Sequence, residues 1–241
     1  MIDEELDVAV ITETWFKSQL NNSTATLKEN GYSIFHYHRE DKGGGGVALI
    51  YKHWLKLQNS KSYNFDTFEC IFGSLSSTSS AKINFIIVYR FGKFTPAVFL
   101  TEFYNFIESI FIHVKNFIIL GDFNLHVNDV LNPDTIRFNN ILSSFGLSQL
   151  VDQPTHILGN TLDLVITNQG EVKIKDIIVD HVNYSDHSFI FFKVAFECHK
   201  PQDKIVTISD HKSIDIDKFK TELVDKVNNL LRAILKILVM L

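Results

Sequence analysis

Cysteine is nearly absent from this chain: Cys70 and Cys198 are the two in 241 residues. That excludes a disulfide framework and a CxxC-type metal site, and it fits a reducing compartment. A basic excess is also lacking, since the formal charge is −5 and the pI is near 6.0. Any contact with nucleic acid must therefore rest on a local patch rather than on global phosphate neutralisation. No cluster of Lys and Arg marks a nuclear signal. The opening MIDEELDVAV is acidic and then strand-like, without the basic start and apolar centre of a secretory leader. The expectation is an intracellular protein of nucleus or cytoplasm, not a secreted one. The sequons at Asn21, Asn22 and Asn183 are then chance matches. No run approaches the roughly 18 apolar residues of a membrane span. No repeat of 20–50 residues is visible, and no GK[ST] follows the glycine run at 43–46, so it is not a P-loop.

What is present is apolar sequence: 45% hydrophobic, with 21 Phe. Short apolar runs predict strands over residues 6–12, 32–37, 47–51, 68–75, 83–89, 117–120, 162–167, 173–179 and 189–196. Helical spacing predicts a helix over 96–114, with Thr95 as N-cap and Pro96 in the first turn, and a second over 135–145 stopped by Gly146. The polar stretch 18–30 reads as a helix with flanking turns. Strands with interspersed helices imply an α/β protein whose sheets carry helices outside. The expected organisation is a domain over 1–198, a polar linker over 199–212 and a helical tail over 213–241. The tail ends in LLRAILKILVML, whose polar face holds only Arg232 and Lys236. That is thin for a membrane-surface helix. It reads as the end of a truncated frame or as a helix covering exposed core.

Chemistry-bearing residues gather at predicted strand ends. In NFIILGDFNLH, Asp122 and Asn124 follow a buried strand; one can accept a proton and the other can orient by hydrogen bonds. In YSDHSFIFF, Asp186 and His187 precede a strand. Glu13 in VITETWF offers a hard carboxylate suited to Mg²⁺. Asp163 sits inside the apolar TLDLVIT, where burial demands a partner such as an imidazole. Tyr89 and Arg90 close IIVYRF as two candidate phosphate donors.

Taken in order, TETW, GGGGVALIY, VYR, LGDFN, PTHILGNTLDLVIT and SDHSFI resemble the endonuclease/exonuclease/phosphatase superfamily over residues 5–196. More narrowly they resemble the apurinic-type endonuclease domain of non-LTR (LINE-type) retrotransposons. The resemblance implies a DNase I-like, four-layer α/β sandwich: two packed, mainly antiparallel or mixed sheets flanked by helices. It implies a monomer that nicks DNA with Mg²⁺ or Mn²⁺ and leaves the 3′-hydroxyl that primes reverse transcription. Glu13 and Asp186 would serve the metal. Asp122 would align or deprotonate the water, and Asn124 would orient it. His187, steadied by Asp163, would stabilise the phosphate, Tyr89 would contact it, and Thr155 and Arg90 would bind substrate. The family also begins with a strand carrying a metal-site asparagine, for which the 12 residues before Glu13 leave no room. A missing first strand would expose sheet edges. Two rival readings follow: an inactive remnant of the same fold, and a phospholipid or inositol-phosphate phosphodiesterase.

Overall fold

The computed structural model describes residues 6–16, 26–38, 44–77, 82–168, 172–195, 217, 220–222 and 234–240. Its strands are β1 (Val8–Thr12), β2 (Tyr32–Tyr37), β3 (Val47–Lys52), β4 (Lys56–Asn64), β5 (Phe68–Ser76), β6 (Lys82–Arg90), β7 (Phe117–Asp122), β8 (Ser148–Gln149), β9 (Asp163–Thr167), β10 (Lys173–Asp180), β11 (Phe189–Ala195) and β12 (Ile234–Met240). Helix α1 (Pro96–Phe111) links β6 to β7, and α2 (Pro133–Ser144) follows β7. One sheet runs β10-β11-β12-β1-β3-β2 and the other β4-β5-β6-β7-β9-β8. This is the α/β sandwich of mixed and antiparallel sheets with helices outside.

Side-chain alternation builds the layers. Along β6, Ile83, Phe85, Ile87 and Tyr89 pack between the sheets with Val8, Val10, Leu49, Ile118, Leu120, Val165 and Ile190. Ile86 and Val88 face the other way, into a layer with Phe99, Phe103, Phe106 and Ile107 of α1 and Phe138 of α2. That period of two is what a strand buried on both faces requires. The abundant Phe is spent mainly here, where Phe68, Phe99, Phe103, Phe123 and Phe138 meet edge-on or tilted, apart from the stacked pair Phe99 and Phe103. On the outer face of the first sheet, Leu27 of a helical turn at 26–29 packs near Ala9 and Ile50.

Several features differ from the sequence reading, among them the short strand β8, which was not expected. β4 was not expected: KLQNSKSYN is polar and largely exposed, as an edge strand held by backbone pairing with β5 can be. Thr95 does occupy the α1 N-cap, but its side chain makes no capping bond. The apolar end, expected as helix, carries β12 instead. This strand pairs parallel with β1 (Val8↔Ile237 to Ile11↔Met240) and antiparallel with β11 (Ile190↔Val239 to Ala195↔Ile234). β1 is therefore paired on both sides, by β12 and β3, and the expected open edge is not there. The linker at 199–212, Asn21, Asn22 and Cys198 lie outside the described residues.

Gly121 explains why glycine precedes the Asp-Phe-Asn turn. Its φ is +135°, and a Cβ there would stand 1.9 Å from the Val88 carbonyl oxygen on the neighbouring strand. Gly121→Ala should thus cost more than about 3 kcal/mol, combining a core clash with a disfavoured backbone. A chemical-denaturation midpoint compared with the parent checks it.

Candidate active site

Strand direction gathers the polar groups at one edge. β6 and β7 run parallel, so Tyr89 and Asp122 are neighbours at their carboxyl ends. β9 runs antiparallel to β7, which puts Asp163 at its start directly beside Asp122. In the other sheet β1 delivers Glu13 past its carboxyl end, while β11 runs opposite through β12 and brings His187, just before its start, to the same edge.

Asp163 is fully buried, and its carboxylate binds His187 Nδ1 at 2.9 and 3.1 Å. This leaves His187 Nε2 as the ring's outward nitrogen. Asp122 is nearly buried. Asn124 does not continue the strand: at φ +47° it turns back, donating from its backbone N–H (2.8 Å) and its amide (2.9 Å) to the Asp122 carboxylate. The same amide reaches the Arg90 carbonyl at 2.8 Å. Phe123, between them, is buried against α1 and α2. Tyr89 donates its hydroxyl to Glu13. Asp186 is mostly exposed and lies 3.7 Å from His156 Nε2.

Two substrate ligands inferred from the sequence face elsewhere. Arg90 is buried, with its guanidinium given to the carbonyls of Asn124 (2.7 Å) and Phe94 (2.6 Å) and stacked over Phe99. It braces the loop after β7 from below. Consecutive strand residues face opposite ways, so with Tyr89 turned to the site Arg90 cannot be. Thr155 is likewise buried, accepting at its hydroxyl from the N–H groups of Leu162 (3.0 Å) and Asp163 (3.1 Å). It fixes Asp163 rather than lining an outer surface.

Sequence reading missed Glu69, a buried acid in β5 that accepts the Gly46 N–H at 2.7 Å. Gly45 and Gly46 in turn accept the N–H groups of Trp15 (2.9 Å) and Thr14 (3.2 Å), which clamps the chain beyond Glu13. Gly46, at φ +92°, has no room for a Cβ, which would fall 2.5 Å from Thr14 Oγ1. The signal was available: one Glu in the otherwise apolar FECIF, of the same kind as Asp163 in TLDLVIT.

The charges are strongly coupled. Burial and the Asp163 carboxylate push the Asp122 pKa up to about 8, with Glu13 adding to this and His187 and the Asn124 N–H opposing it. Burial also raises Asp163, against its bond to His187. For His187, burial favours the neutral ring, but the bond to Asp163 and the charges of Asp163, Asp122 and Asp186 outweigh it, raising the pKa to about 9. Metal-free protein carries a pH signature as a result. Both pKa values lie above their ordinary values, so both groups favour the folded state at low pH. The His187 contribution is complete below about 6.5 and lost as pH rises through about 9; that of Asp122 is complete below about 4 and lost as pH rises from there through about 8, so both decline together above about 6.5. The melting temperature without metal should fall between pH 6.5 and 9, and an isosteric Asp122→Asn variant should flatten the fall. Thermal scans across that range in chelator test this.

Such crowding of acids calls for a cation. Asp122, Asp163 and His187 gather within 4.8 Å of one another, and Glu13 is close enough to raise Asp122; with His187 Nδ1 given to Asp163, the carboxylates are the ligands on offer. Hard oxygen donors of this kind fit a divalent metal ion.

Comparison with solved structures finds the same fold. The chain superposes on the endonuclease domain of TRAS1, a telomere-specific non-LTR retrotransposon (TM-score 0.54, 15% identity, 76% of this chain and 94% of that one). It also matches a 3′ phosphatase, NExo, from Neisseria bound to a product DNA hairpin (TM-score 0.61, 16% identity, 77% and 88%). An AP endonuclease from Archaeoglobus fulgidus is similar too (TM-score 0.59, 15% identity, 79% and 89%). At these identities the likeness is one of fold. No curated protein matches in sequence. The sequence model of the Endonuclease/Exonuclease/phosphatase family, however, matches residues 2–211, and the chain belongs to that family.

Proposed function

We propose that this chain nicks DNA as the endonuclease domain of a LINE-type retrotransposon, with Mg²⁺ or Mn²⁺ as cofactor. The family and fold indicate phosphodiesterase or nuclease chemistry. The observation that carries the reading is the Asp163–His187 bond set against the Asp122–Asn124 turn across one sheet edge.

Each group then has a task. Asp122, held at the end of β7 by the Asn124 turn, accepts the proton of the attacking water. Asn124 holds Asp122 by its amide and N–H and so sets where that water is met. Asp163 keeps the His187 Nδ1 proton in place, and Nε2–H of the charged ring donates to the developing charge on phosphate. Glu13 and Asp186 would hold the cation, and Tyr89 steers Glu13 by donating to it. The cation, when bound, neutralises the phosphate and the neighbouring acids. The sequence PTHILGNTLDLVIT supports the retrotransposon assignment over a lipid-directed one.

The test is a substrate panel with one preparation: supercoiled plasmid, an abasic oligonucleotide, a 3′-phosphate oligonucleotide, a phosphoinositide and sphingomyelin. Internal nicks ending in an extendable 3′-hydroxyl on undamaged DNA are expected. Cleavage confined to lipid, to abasic sites or to 3′-phosphate would replace this reading with another in the family. Inertness on all five would make the chain a remnant.

A further inference from the structure

A six-residue loop joins parts of the site that come from distant segments. Thr155 and His156 both donate their N–H to the Asn160 carbonyl (2.9 and 3.0 Å), and Gly159 N–H returns to His156 (2.9 Å). The loop is also zipped to the segment before β11. Ile157 N–H donates to the Asp186 carbonyl and Ser188 N–H to the Thr155 carbonyl, each at 2.8 Å, around a His156↔His187 bridge. Thr155 thereby sits under Asp163, and His156 sits against Asp186 and His187.

The His156 ring is placed with more care than packing needs. It is largely covered and meets His187 edge-on, with centroids 5.0 Å apart. Its Nδ1 accepts the Leu158 N–H at 3.2 Å. That bond requires a lone pair at Nδ1, so the ring proton resides on Nε2. Nε2 faces the Asp186 carboxylate at 3.7 Å, a gap that a small rotation of this exposed side chain would close to a hydrogen bond. The ring nitrogens and carboxylate of His156, Asp186 and His187 lie within 4.8 Å of one another, as ligands of a metal would. The Leu158 bond argues otherwise, because an Nε2 that carries the proton is a donor and not a ligand.

We propose that His156 is a positioning residue of the hydrolytic site, donating from Nε2–H to Asp186 and bracing the His187 ring edge-on. The proposal rests on the reading above in which Asp186 serves the cation and His187 the phosphate. It adds a group that supports both, in the way outer-shell partners tune metal ligands.

Two full-chain variants separate donation from packing. His156→Phe keeps a ring but no donor; His156→Gln keeps an N–H donor of similar reach. Mn²⁺ binding by calorimetry, without DNA, is read alongside plasmid nicking and the melting temperature. The Phe variant should bind Mn²⁺ about tenfold more weakly and lose about tenfold in kcat. The Gln variant should recover most of both, with both variants melting close to the parent. Equal affinities for parent and Phe variant, or a Gln variant no better than Phe, would overturn the role. If the parent binds Mn²⁺ but cleaves no DNA, the nuclease reading fails, while His156 is still judged by the three affinities. Where the Phe variant does not fold, the Gln variant decides alone: Mn²⁺ affinity equal to the parent supports donation, and an affinity about tenfold weaker overturns it.

Discussion

Replacing Asp122 with asparagine should abolish nicking and, in metal-free protein, raise the melting temperature. The two effects have one cause. Asp122 is buried beside Asp163 and within reach of Glu13, and its ionised form is disfavoured enough to lift its pKa to about 8. Asparagine has the same shape without the charge. It keeps an oxygen to accept the Asn124 N–H, now at 2.8 Å, and loses the contact with the Asn124 amide. Above neutral pH the removed repulsion exceeds that loss. A gain of about 1 kcal/mol, or about 2–4 °C for a chain of this size, is the expected scale. Removing the proton acceptor should lower kcat by about 10²–10⁴-fold. A site that is costly to fold yet needed for turnover gives this opposed pair; a residue kept for packing gives a loss of both. Differential scanning fluorimetry in chelator, paired with a nicking assay in Mg²⁺, reads the two sides.

The second large effect concerns β12. A proline in place of Leu238 removes a ladder donor from a strand paired on both sides, opposite Ala9 of β1 and Phe191 of β11. Central strands do not tolerate this, and a loss of more than about 3 kcal/mol is expected. The consequence goes beyond stability. Without β12 the first sheet divides into β10-β11 and β1-β3-β2, and the edge that brings His187 opposite Glu13 is no longer held together. Nicking and cooperative unfolding should fail together in Leu238→Pro. If the variant melts like the parent, β12 is not part of the sheet in solution.

How far the sequence could be read follows from the physics of each segment. β6, β7, β9 and both helices announce themselves, because burial on both faces leaves a short continuous apolar run between turn residues and burial of one helical stripe leaves a period of about 3.6. Gly-Asp-Phe-Asn after an apolar run likewise marks a strand end bearing chemistry. The failures are of three kinds. β4 has no hydrophobic period, since an edge strand is held by backbone bonds that leave little trace in side chains. ILKILVM is apolar but for Lys236, and a short run of that kind suits helix and strand equally until a neighbour decides; here β1 and β11 decide. Arg90 and Thr155 are polar residues close in sequence to candidate site residues, and proximity along the chain does not give direction. For Arg90 the direction was in fact available: Tyr89 and Arg90 alternate, so only one could face the site. For Thr155 it was not, because the loop from Thr155 to Asn160 closes through backbone bonds that composition does not reveal.

The assignment of a nuclease site here is tested most directly by nicking of supercoiled plasmid in Mg²⁺, run side by side on the parent chain, Asp122→Asn and His187→Gln. The parent should convert the plasmid to open circles with ends that a polymerase can extend, and the two variants should give neither product at equal concentration and comparable melting temperature. A folded parent that leaves the plasmid supercoiled in both Mg²⁺ and Mn²⁺, or variants that nick as fast as the parent, would contradict it.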